Sequence, residues 1–219
     1  MPQRQKERQM TSLPKNQPPL GVVILAAGAS SRMGRPKLLL PWLDTTVIGH
    51  IILQWQELRA SQIVVVHRPN DTPLLGELDN LNFPVQNRVE NPRPEGGMFS
   101  SIICAAGWNG WMAEIQSYAI VLGDQPHLHL DTLRSLLEFH ALQSDAVCQP
   151  SFGGHERHPV ILPRNVFDVL KTSKAETLKE FLKLISNPSV QYPIEDTGLA
   201  LDMDTPEDYK RLKDLTSAR

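Results

Sequence analysis

Residues 21–37 constrain the fold of this chain more than any other stretch. They begin as an unbroken apolar run, Gly-Val-Val-Ile-Leu-Ala-Ala, which is typical of a strand buried on both faces in a parallel sheet. The run then opens into small residues that include two glycines, two hydroxyls and three cations. Because small residues let backbone N–H groups approach an anion and cations neutralise it, the pattern favours a polyphosphate site at the carboxyl edge of an open α/β sheet.

An ordinary strand-to-helix turn with solvated cations is the alternative interpretation of this loop. Neither of the two common glycine-rich phosphate motifs, Gly-x-x-x-x-Gly-Lys-Ser/Thr and Gly-x-Gly-x-x-Gly, is present in residues 21–37. The local chemistry favours the phosphate site over the turn. Residues elsewhere in the chain must therefore decide between the two interpretations.

Length and composition point to one globular α/β domain. The chain has 219 residues, of which 41% are hydrophobic and 21% charged. A formal charge of −2 and a pI near 6.4 argue against a nucleic-acid or membrane partner. We expect Cys104 and Cys148 to be reduced, packed thiols. Because the sequence has neither a long apolar span nor the apolar core of a signal peptide, we expect a cytoplasmic protein.

The chain divides into a leader and one folded domain. Residues 1–19 are polar and proline-rich, which predicts a disordered leader, and residues 20–215 are predicted to form a single domain. Apolar runs predict strands at 20–26, 63–66, 83–86, 118–122, 145–149, 160–162, 190–192 and 199–203. Amphipathic patterns predict helices beginning at Thr45 or Thr46, at 73–78, from Ser100 or Ser101, after a cap at Asp131, at 165–170, 176–185 and 206–215. The alternation of strands and helices predicts right-handed parallel crossovers.

Asp124 is the most informative residue outside the loop. It follows five apolar residues and a glycine, so it should emerge at the carboxyl end of a central strand. Parallel strands share an orientation, which puts Asp124 at the same sheet edge as the loop. A carboxylate that faces bound phosphates suits Mg²⁺, because this ion takes one or two protein carboxylates together with phosphate oxygens and water. The alternative is a turn aspartate.

Asp202 and Asp204 supply a second acidic group. Alternation puts both side chains on one face of the predicted strand 199–203, next to the start of the last helix. Either residue is a candidate second Mg²⁺ ligand, while Asp204 or Thr205 is equally suited to cap the helix.

The remaining polar residues narrow the range of reactions that the chain could catalyse. His127 and His129 are expected to be solvated loop residues, and His158 either faces a substrate or braces its loop. The spacing indicates no Ser–His–Asp or Cys–His set. Phosphate donors, cations and carboxylates for a divalent ion fit phosphoryl or nucleotidyl transfer.

Five groups of motifs occur in order along the chain. They are Leu-Ala-Ala-Gly at 25–28 with Ser30, Arg-Met-Gly at 32–34 and Pro-Lys-Leu-Leu at 36–39; Gly-Met at 97–98 and Ser-Ser-Ile at 100–102; Gly-Asp-Gln-Pro at 123–126; His-Pro-Val at 158–160; and Asp-Met-Asp-Thr-Pro-Glu-Asp at 202–208. With these motifs the chain resembles the MobA-like NTP transferase family and, within it, the molybdenum cofactor cytidylyltransferase branch.

The resemblance implies a Rossmann-like, three-layer α/β/α sandwich with a mostly parallel central sheet, similar to the nucleotide-diphospho-sugar transferases. It implies Mg²⁺-dependent transfer of NMP from an NTP to a phosphorylated acceptor. Arg32, Lys37 and Asp124 would be catalytic; Asp124 would bind Mg²⁺, with Asp204 preferred over Asp202 as the second ligand. The implied nucleotide-binding residues are Leu25, Ala26, Ala27, Gly28, Ser30, Arg32, Lys37, Gly97, Met98 and Ser101. The implied acceptor-side residues are Arg157, His158 and Pro159.

The resemblance also implies the substrates. In the family, Leu-Ala-Ala-Gly accompanies cytidylyl transfer and Leu-Ala-Gly-Gly guanylyl transfer, so Ala27 and residues 95–98 favour CTP over GTP. The acceptor would be molybdopterin bearing molybdenum, and a molybdoenzyme would receive the product. One departure is Arg157, which stands where similar proteins usually have glycine and puts the acceptor in doubt. The alternatives are a related enzyme that uses GTP or another phosphorylated acceptor, and a non-catalytic carrier of the finished cofactor.

Overall fold

The computed structural model describes residues 18–217, so residues 1–17 of the predicted leader lie outside the described part of the chain. The strands are β1 (Leu20–Leu25), β2 (Pro41–Trp42), β3 (Thr45–Thr46), β4 (Gln62–His67), β5 (Arg88–Glu90), β6 (Ser117–Leu122), β7 (Val147–Phe152), β8 (His155–Glu156), β9 (Val160–Pro163) and β10 (Ser189–Pro193). The α-helices are α1 (Val47–Glu57), α2 (Thr72–Asn80), α3 (Gly97–Gly107), α4 (Leu130–Ala141), α5 (Arg164–Leu170), α6 (Leu178–Leu184) and α7 (Pro206–Ser217).

A mixed, mostly parallel sheet forms the centre of the fold. Its strand order is β10-β7-β9-β6-β1-β4-β5. The short strand β8 pairs with the last two residues of β7. The pairs of β1 with β4, β1 with β6, β4 with β5 and β10 with β7 are parallel, whereas β9 runs antiparallel to both β6 and β7. Leu25 lies opposite Val66 of β4 and Leu122 of β6. The loops that follow these three strands therefore begin at one edge of the sheet.

Helices cover both faces of the sheet. Val22 and Ile24 of β1 belong to one buried apolar cluster, which α1, α2, α4 and α7 complete. Val23 belongs to a second cluster, which α3, α5 and α6 complete. This alternation along β1 is what a central strand buried on both faces requires. The expected three-layer α/β/α sandwich is confirmed.

The predicted strand at 83–86 is wrong by several residues. A 3-10 turn occupies Val85–Asn87, and the strand is β5, which begins at Arg88. The reason is that Phe83 closes the end of α2, where its N–H donates to the carbonyl of Leu78 and its ring is buried. Val85, the other apolar residue of the expected strand, is 70% exposed.

The predicted strand at 199–203 is also wrong. A 3-10 turn, Thr197–Ala200, stands there, and residues 201–204 have no regular structure. Asp196 caps the turn by accepting the N–H of Gly198. Leu199 and Met203 are each buried in the first apolar cluster, but the segment between them is not a strand.

Helix starts agree with the sequence patterns in part. Thr46 caps α1, as expected, by accepting the N–H of Gly49 at 3.2 Å. The predicted cap at Asp131 is wrong, because His129 occupies the capping position and Asp131 accepts a hydrogen bond from Arg134 in the first turn. Between residues 18 and 217, no helix is both long and apolar enough to span a membrane.

Just beyond the ends of β1 and β6, the backbone at position 123 lies so close to the backbone of Leu25 that only glycine fits without a shift. The N–H of Gly123 donates to the carbonyl of Leu25, and an added Cβ would lie 2.6 Å from that carbonyl oxygen. The oxygen belongs to the backbone of β1, so it cannot move away without disturbing the pairing of β1 with β6. No side chain fits at this position.

We therefore expect Gly123→Ala to lower the free energy of unfolding by about 1–3 kcal/mol, since overpacking against backbone forces a shift of the strand end. Gly76→Ala is the matched control: Gly76 is exposed within α2, with nothing within 4 Å of an added Cβ. It should raise stability by about 0.5–1 kcal/mol. Urea unfolding of the two variants measures both effects. A Gly123→Ala variant as stable as the parent would contradict the close approach.

Candidate active site

A cleft of about 550 Å³ opens at the sheet edge where the loops after β1 and β6 begin. The predicted residues that line it are Leu25, Ala26, Ala27, Gly28, Lys37, Gly97, Met98, Ser101 and Asp124. The structure thus brings the small-residue loop, the start of α3 and the end of β6 around one space. This volume is of the size that small-molecule ligands occupy.

The small-residue loop turns back on itself between Ser30 and Lys37. Ser30 has a left-handed backbone with φ of 51°, and its hydroxyl accepts the N–H of Lys37 at 3.3 Å. Gly34 is also left-handed, with φ of 68°, and the buried Met33 anchors the loop in the core. Ser30 lies at an adjoining cleft of about 390 Å³ rather than in the main one. The hydrogen bond to Ser30 holds the backbone of Lys37, and Lys37 lines the main cleft.

Lys37 joins the two acidic segments. Its Nζ contacts a carboxylate oxygen of Asp124 and lies 3.4 Å from Oδ1 of Asp204. Arg32 Nη2 lies 2.9 Å from Oδ2 of Asp204, although the Arg32 side chain is 72% exposed and lines neither cleft. Two carboxylates from distant parts of the chain are therefore held on one ammonium group.

This donor set fits a divalent cation such as Mg²⁺ or Mn²⁺. Asp124 and Asp204 converge on one point, which a metal ion with phosphate oxygens and water could share with them. Residues 18–217 contain no cluster of three or more His, Cys, Asp or Glu side chains able to hold a metal. Asp202 is exposed and makes no ion pair within this part of the chain. Geometry therefore favours Asp204 over Asp202 as the second ligand.

The wall opposite the loop is built by residues 91–101. The helix α3 begins at Gly97, earlier than the predicted start at Ser100 or Ser101, after a 3-10 turn at Pro94–Gly96. The buried side chain of Asn91 donates to the hydroxyls of both serines, at 2.8 Å and 3.0 Å. Asn91 thus fixes this segment against the first turns of α3, a role that no pattern in the sequence indicates.

Arg68 is a further cleft residue that the sequence reasoning missed. It follows β4 and lines both the main and the adjoining cleft, and its Nε lies 3.1 Å from Oδ2 of the buried Asp71. The position of Arg68 after a parallel strand could have indicated a place at the same sheet edge, as the position of Asp124 did. Arg68 thus adds a third basic side chain, after Lys37 and Arg32, to the candidate site.

A further cleft of about 770 Å³, called the second cleft below, is lined by Arg157 and His158, which the family resemblance predicts to lie on the acceptor side. Met98 borders both this cleft and the main cleft. Pro159 is buried beside this cleft and does not line it. Burial lowers the pKa of His158, against the opposing effects of the Ile120 carbonyl and the charge of Asp124. Nδ1 of His158 lies 3.3 Å from that carbonyl oxygen, so the neutral ring can donate to it and brace its loop.

His127 corrects one expectation, because it is buried rather than solvated. Its Nε2 lies 3.0 Å from the carbonyl oxygen of Gly198. Next to it, the buried side chain of Gln54 in α1 donates to the carbonyl of Leu128 at 2.8 Å. The loop after β6, which carries Asp124, is therefore held from two sides.

Two known proteins are similar to this chain over most of its length. The molybdenum cofactor cytidylyltransferase of Escherichia coli strain K12 is 26% identical over 194 residues, which cover 88% of this chain and 94% of that protein. A probable molybdenum cofactor guanylyltransferase of Bacillus mycoides strain KBAB4 is 28% identical over 204 residues, covering 89% and 96%.

Solved structures share the fold. Rv0371c of Mycobacterium tuberculosis H37Rv, solved in complex with manganese, superposes with a TM-score of 0.65 at 23% identity, covering 90% of this chain and 98% of that one. The sequence model of the MobA-like NTP transferase domain matches residues 22–190. The chain is therefore a nucleotidyltransferase that belongs to the MobA-like NTP transferase family.

Proposed function

We propose that the protein transfers CMP from CTP to the terminal phosphate of molybdopterin bearing molybdenum and releases pyrophosphate, with Mg²⁺ as the cofactor. The observation that carries this proposal is the position of Lys37, which lines the main cleft and bridges Asp124 and Asp204. A lysine and two carboxylates beside such a loop supply what a metal-bound triphosphate needs: a cation for the phosphates and oxygen ligands for the metal.

The nucleotide would lie in the main cleft. Residues 25–28 present small side chains and accessible backbone on one side, and Gly97, Met98 and Ser101 form the other wall. Ser30 supports the loop from the adjoining cleft by its hydrogen bond to the Lys37 backbone. Arg32 and Lys37, and also Arg68, would neutralise the triphosphate.

Transfer requires one bond to form and one to break at the α-phosphorus. An oxygen of the acceptor phosphate attacks the α-phosphorus of CTP in line, and the bond from that phosphorus to the oxygen shared with the β-phosphate breaks. Pyrophosphate leaves with the electron pair of that bond. Since the acceptor phosphate is already an anion, no general base is needed.

In this proposal, residues of the chain neutralise the charge of the phosphates and hold the metal. Lys37 donates hydrogen bonds from its ammonium group to the phosphates, and Arg32 offers a second cation at the exposed side of the site. Asp124 and Asp204 would hold Mg²⁺, which, when bound, neutralises charge on the transferring and leaving phosphates.

CTP is favoured over GTP by two features of the main cleft. Ala27 stands at the family position that accompanies cytidylyl transfer, and it lines the cleft together with Glu95 and Met98. GTP is the alternative nucleotide, and relatives of both kinds match the chain. Comparison of the two nucleotides in one assay separates these possibilities.

The acceptor would enter through the second cleft, since Met98 borders both spaces. Nε of Arg157 is buried and has no hydrogen-bond partner among the described residues. An unpaired buried guanidinium nitrogen is costly, and an anionic acceptor would satisfy this cation. Another phosphorylated acceptor is the alternative substrate. The product would pass to a molybdoenzyme in the cytoplasm.

A non-catalytic carrier of the finished cofactor is the alternative from another class. A carrier needs no pair of carboxylates for a metal, whereas Asp124 and Asp204 are held together here by Lys37. Tight binding of the finished cofactor without any release of pyrophosphate would favour the carrier over the enzyme.

Replacement of Lys37 by alanine, or of Asp124 by asparagine, should lower kcat for pyrophosphate release by at least about 10²-fold, because each change removes charge that stabilises the transition state. The assay uses CTP or GTP, Mg²⁺ and molybdopterin bearing molybdenum, run beside a panel of other phosphorylated acceptors. Lys174→Ala, at an exposed position in the α5–α6 connection, is the matched control and should behave as the parent. Near-normal turnover in Lys37→Ala or Asp124→Asn would contradict the mechanism.

Arg157→Gly restores the family residue and should raise KM for the acceptor by about tenfold, since a hydrogen bond to a charged group is lost. The KM for CTP should stay within about twofold of the parent value, because Arg157 lies outside the nucleotide cleft. Steady-state pyrophosphate release with each substrate varied in turn measures both constants. An unchanged KM for the acceptor would show that Arg157 does not contact it.

A further inference from the structure

The two candidate metal ligands stand on segments of different kinds. Asp124 lies two residues beyond the end of β6, whereas Asp204 lies in residues 201–205, which form neither helix nor strand. The ion pairs of Asp204 with Lys37 and Arg32 would have to rearrange when a metal and a triphosphate bind. Other contacts must therefore hold the Asp204 segment opposite Asp124.

The first such contact comes from His127, three residues beyond Asp124. Its ring is 8% exposed, and its Nε2 lies 3.0 Å from the carbonyl oxygen of Gly198. Burial lowers the pKa of His127, against opposing effects of the Gly198 backbone, of the charges of Asp124 and Asp196 and of the Leu201 backbone. The neutral ring donates its Nε2 hydrogen to Gly198 and so ties the loop after β6 to the 3-10 turn before Asp204.

The second contact comes from Asp196, which is also 8% exposed. Its Oδ1 accepts the N–H of Gly198 at 2.8 Å, and its Oδ2 accepts the hydroxyl of Thr132 in α4 at 2.6 Å. A single buried carboxylate therefore shapes the turn and fastens it to the helix that follows the Asp124 loop. Charge-assisted hydrogen bonds of this kind are among the stronger ones in proteins.

Packing leaves the turn little freedom. A Cβ added at Gly198 would lie 2.9 Å from Oδ1 of Asp196, so the turn and its capping carboxylate are in close contact. Leu199 and Met203 are buried on either side of the exposed Asp202. The chain from Asp196 to Asp204 is thus anchored by one carboxylate and two apolar side chains.

We infer that His127 and Asp196, with Thr132, are positioning residues that hold the carboxylate of Asp204 opposite that of Asp124 so that both can bind one divalent metal. This inference rests on the proposed function. Neither His127 nor Asp196 lines the nucleotide cleft, and both act through the backbone of the turn. Outer partners of metal ligands affect metal affinity by about 10–100-fold in other proteins.

The test measures Mn²⁺ affinity by EPR for the full chain in the presence of CTP, with thermal unfolding and pyrophosphate release measured in parallel. His127→Leu removes the hydrogen bond to Gly198 and should weaken Mn²⁺ binding by about tenfold or more. In His127→Gln the side-chain amide can again donate to Gly198, so this variant should recover most of the affinity. A role in stability alone would lower Tm without this recovery pattern in metal affinity.

A second pair of variants addresses the other contact and decides the question if His127→Leu does not fold. Thr132→Val keeps the shape of the side chain and removes its hydroxyl, whereas Thr132→Ser keeps the hydroxyl. We expect weakened Mn²⁺ binding in the valine variant and near-parent binding in the serine variant.

Two negative results have different meanings. If the parent protein binds Mn²⁺ with CTP and His127→Leu or a folded Thr132→Val does so with an affinity within about twofold, the positioning role is wrong and the proposed function stands. If the parent protein neither binds Mn²⁺ with CTP nor releases pyrophosphate, the proposed function fails and the positioning role fails with it.

Discussion

The contact of Lys37 with Asp124 and Asp204 is the interaction on which the rest of the site depends. Two carboxylates repel each other at short range, and a cation between them removes that repulsion. The three residues come from the loop after β1, the end of β6 and the segment before α7. The parallel pairing of β1 with β6 and the buried turn before Asp204 therefore serve one purpose, which is to bring these charges to the same point.

Different strands of the sheet contribute to the main cleft and to the second cleft. The main cleft lies at the carboxyl ends of β1 and β6, where small-residue loops leave room for a ligand. The antiparallel strand β9 and the β7–β8 hairpin frame the second cleft, which holds the unpaired nitrogen of Arg157. Met98, at the start of α3, stands between the clefts. This division suits a reaction that joins a nucleotide to a separate anionic acceptor.

The sequence predicted the parts of the site that follow from strand direction. The loop at residues 28–37 and Asp124 both follow buried parallel strands, so their meeting could be foreseen. Strand alternation could not choose Asp204 over Asp202, because it assumed a strand where a 3-10 turn stands, and the preference for Asp204 came from the family resemblance alone. The Asn91 and His127 contacts join side chains to groups that the sequence does not bring together, and periodicity carries no signal for them. The strand predicted at residues 83–86 was wrong for a related reason. Phe83 is buried by tertiary packing and not because it belongs to a strand.

The most direct measurement is the position of Mn²⁺ in crystals of the protein grown with CTP and manganese, located by anomalous diffraction. We expect one strong peak coordinated by the carboxylates of Asp124 and Asp204 and by phosphate oxygens of the nucleotide, with Lys37 moved from the carboxylates to the phosphates. A nucleotide in the cleft with manganese bound by neither carboxylate, or with Lys37 still bridging both of them, would contradict it.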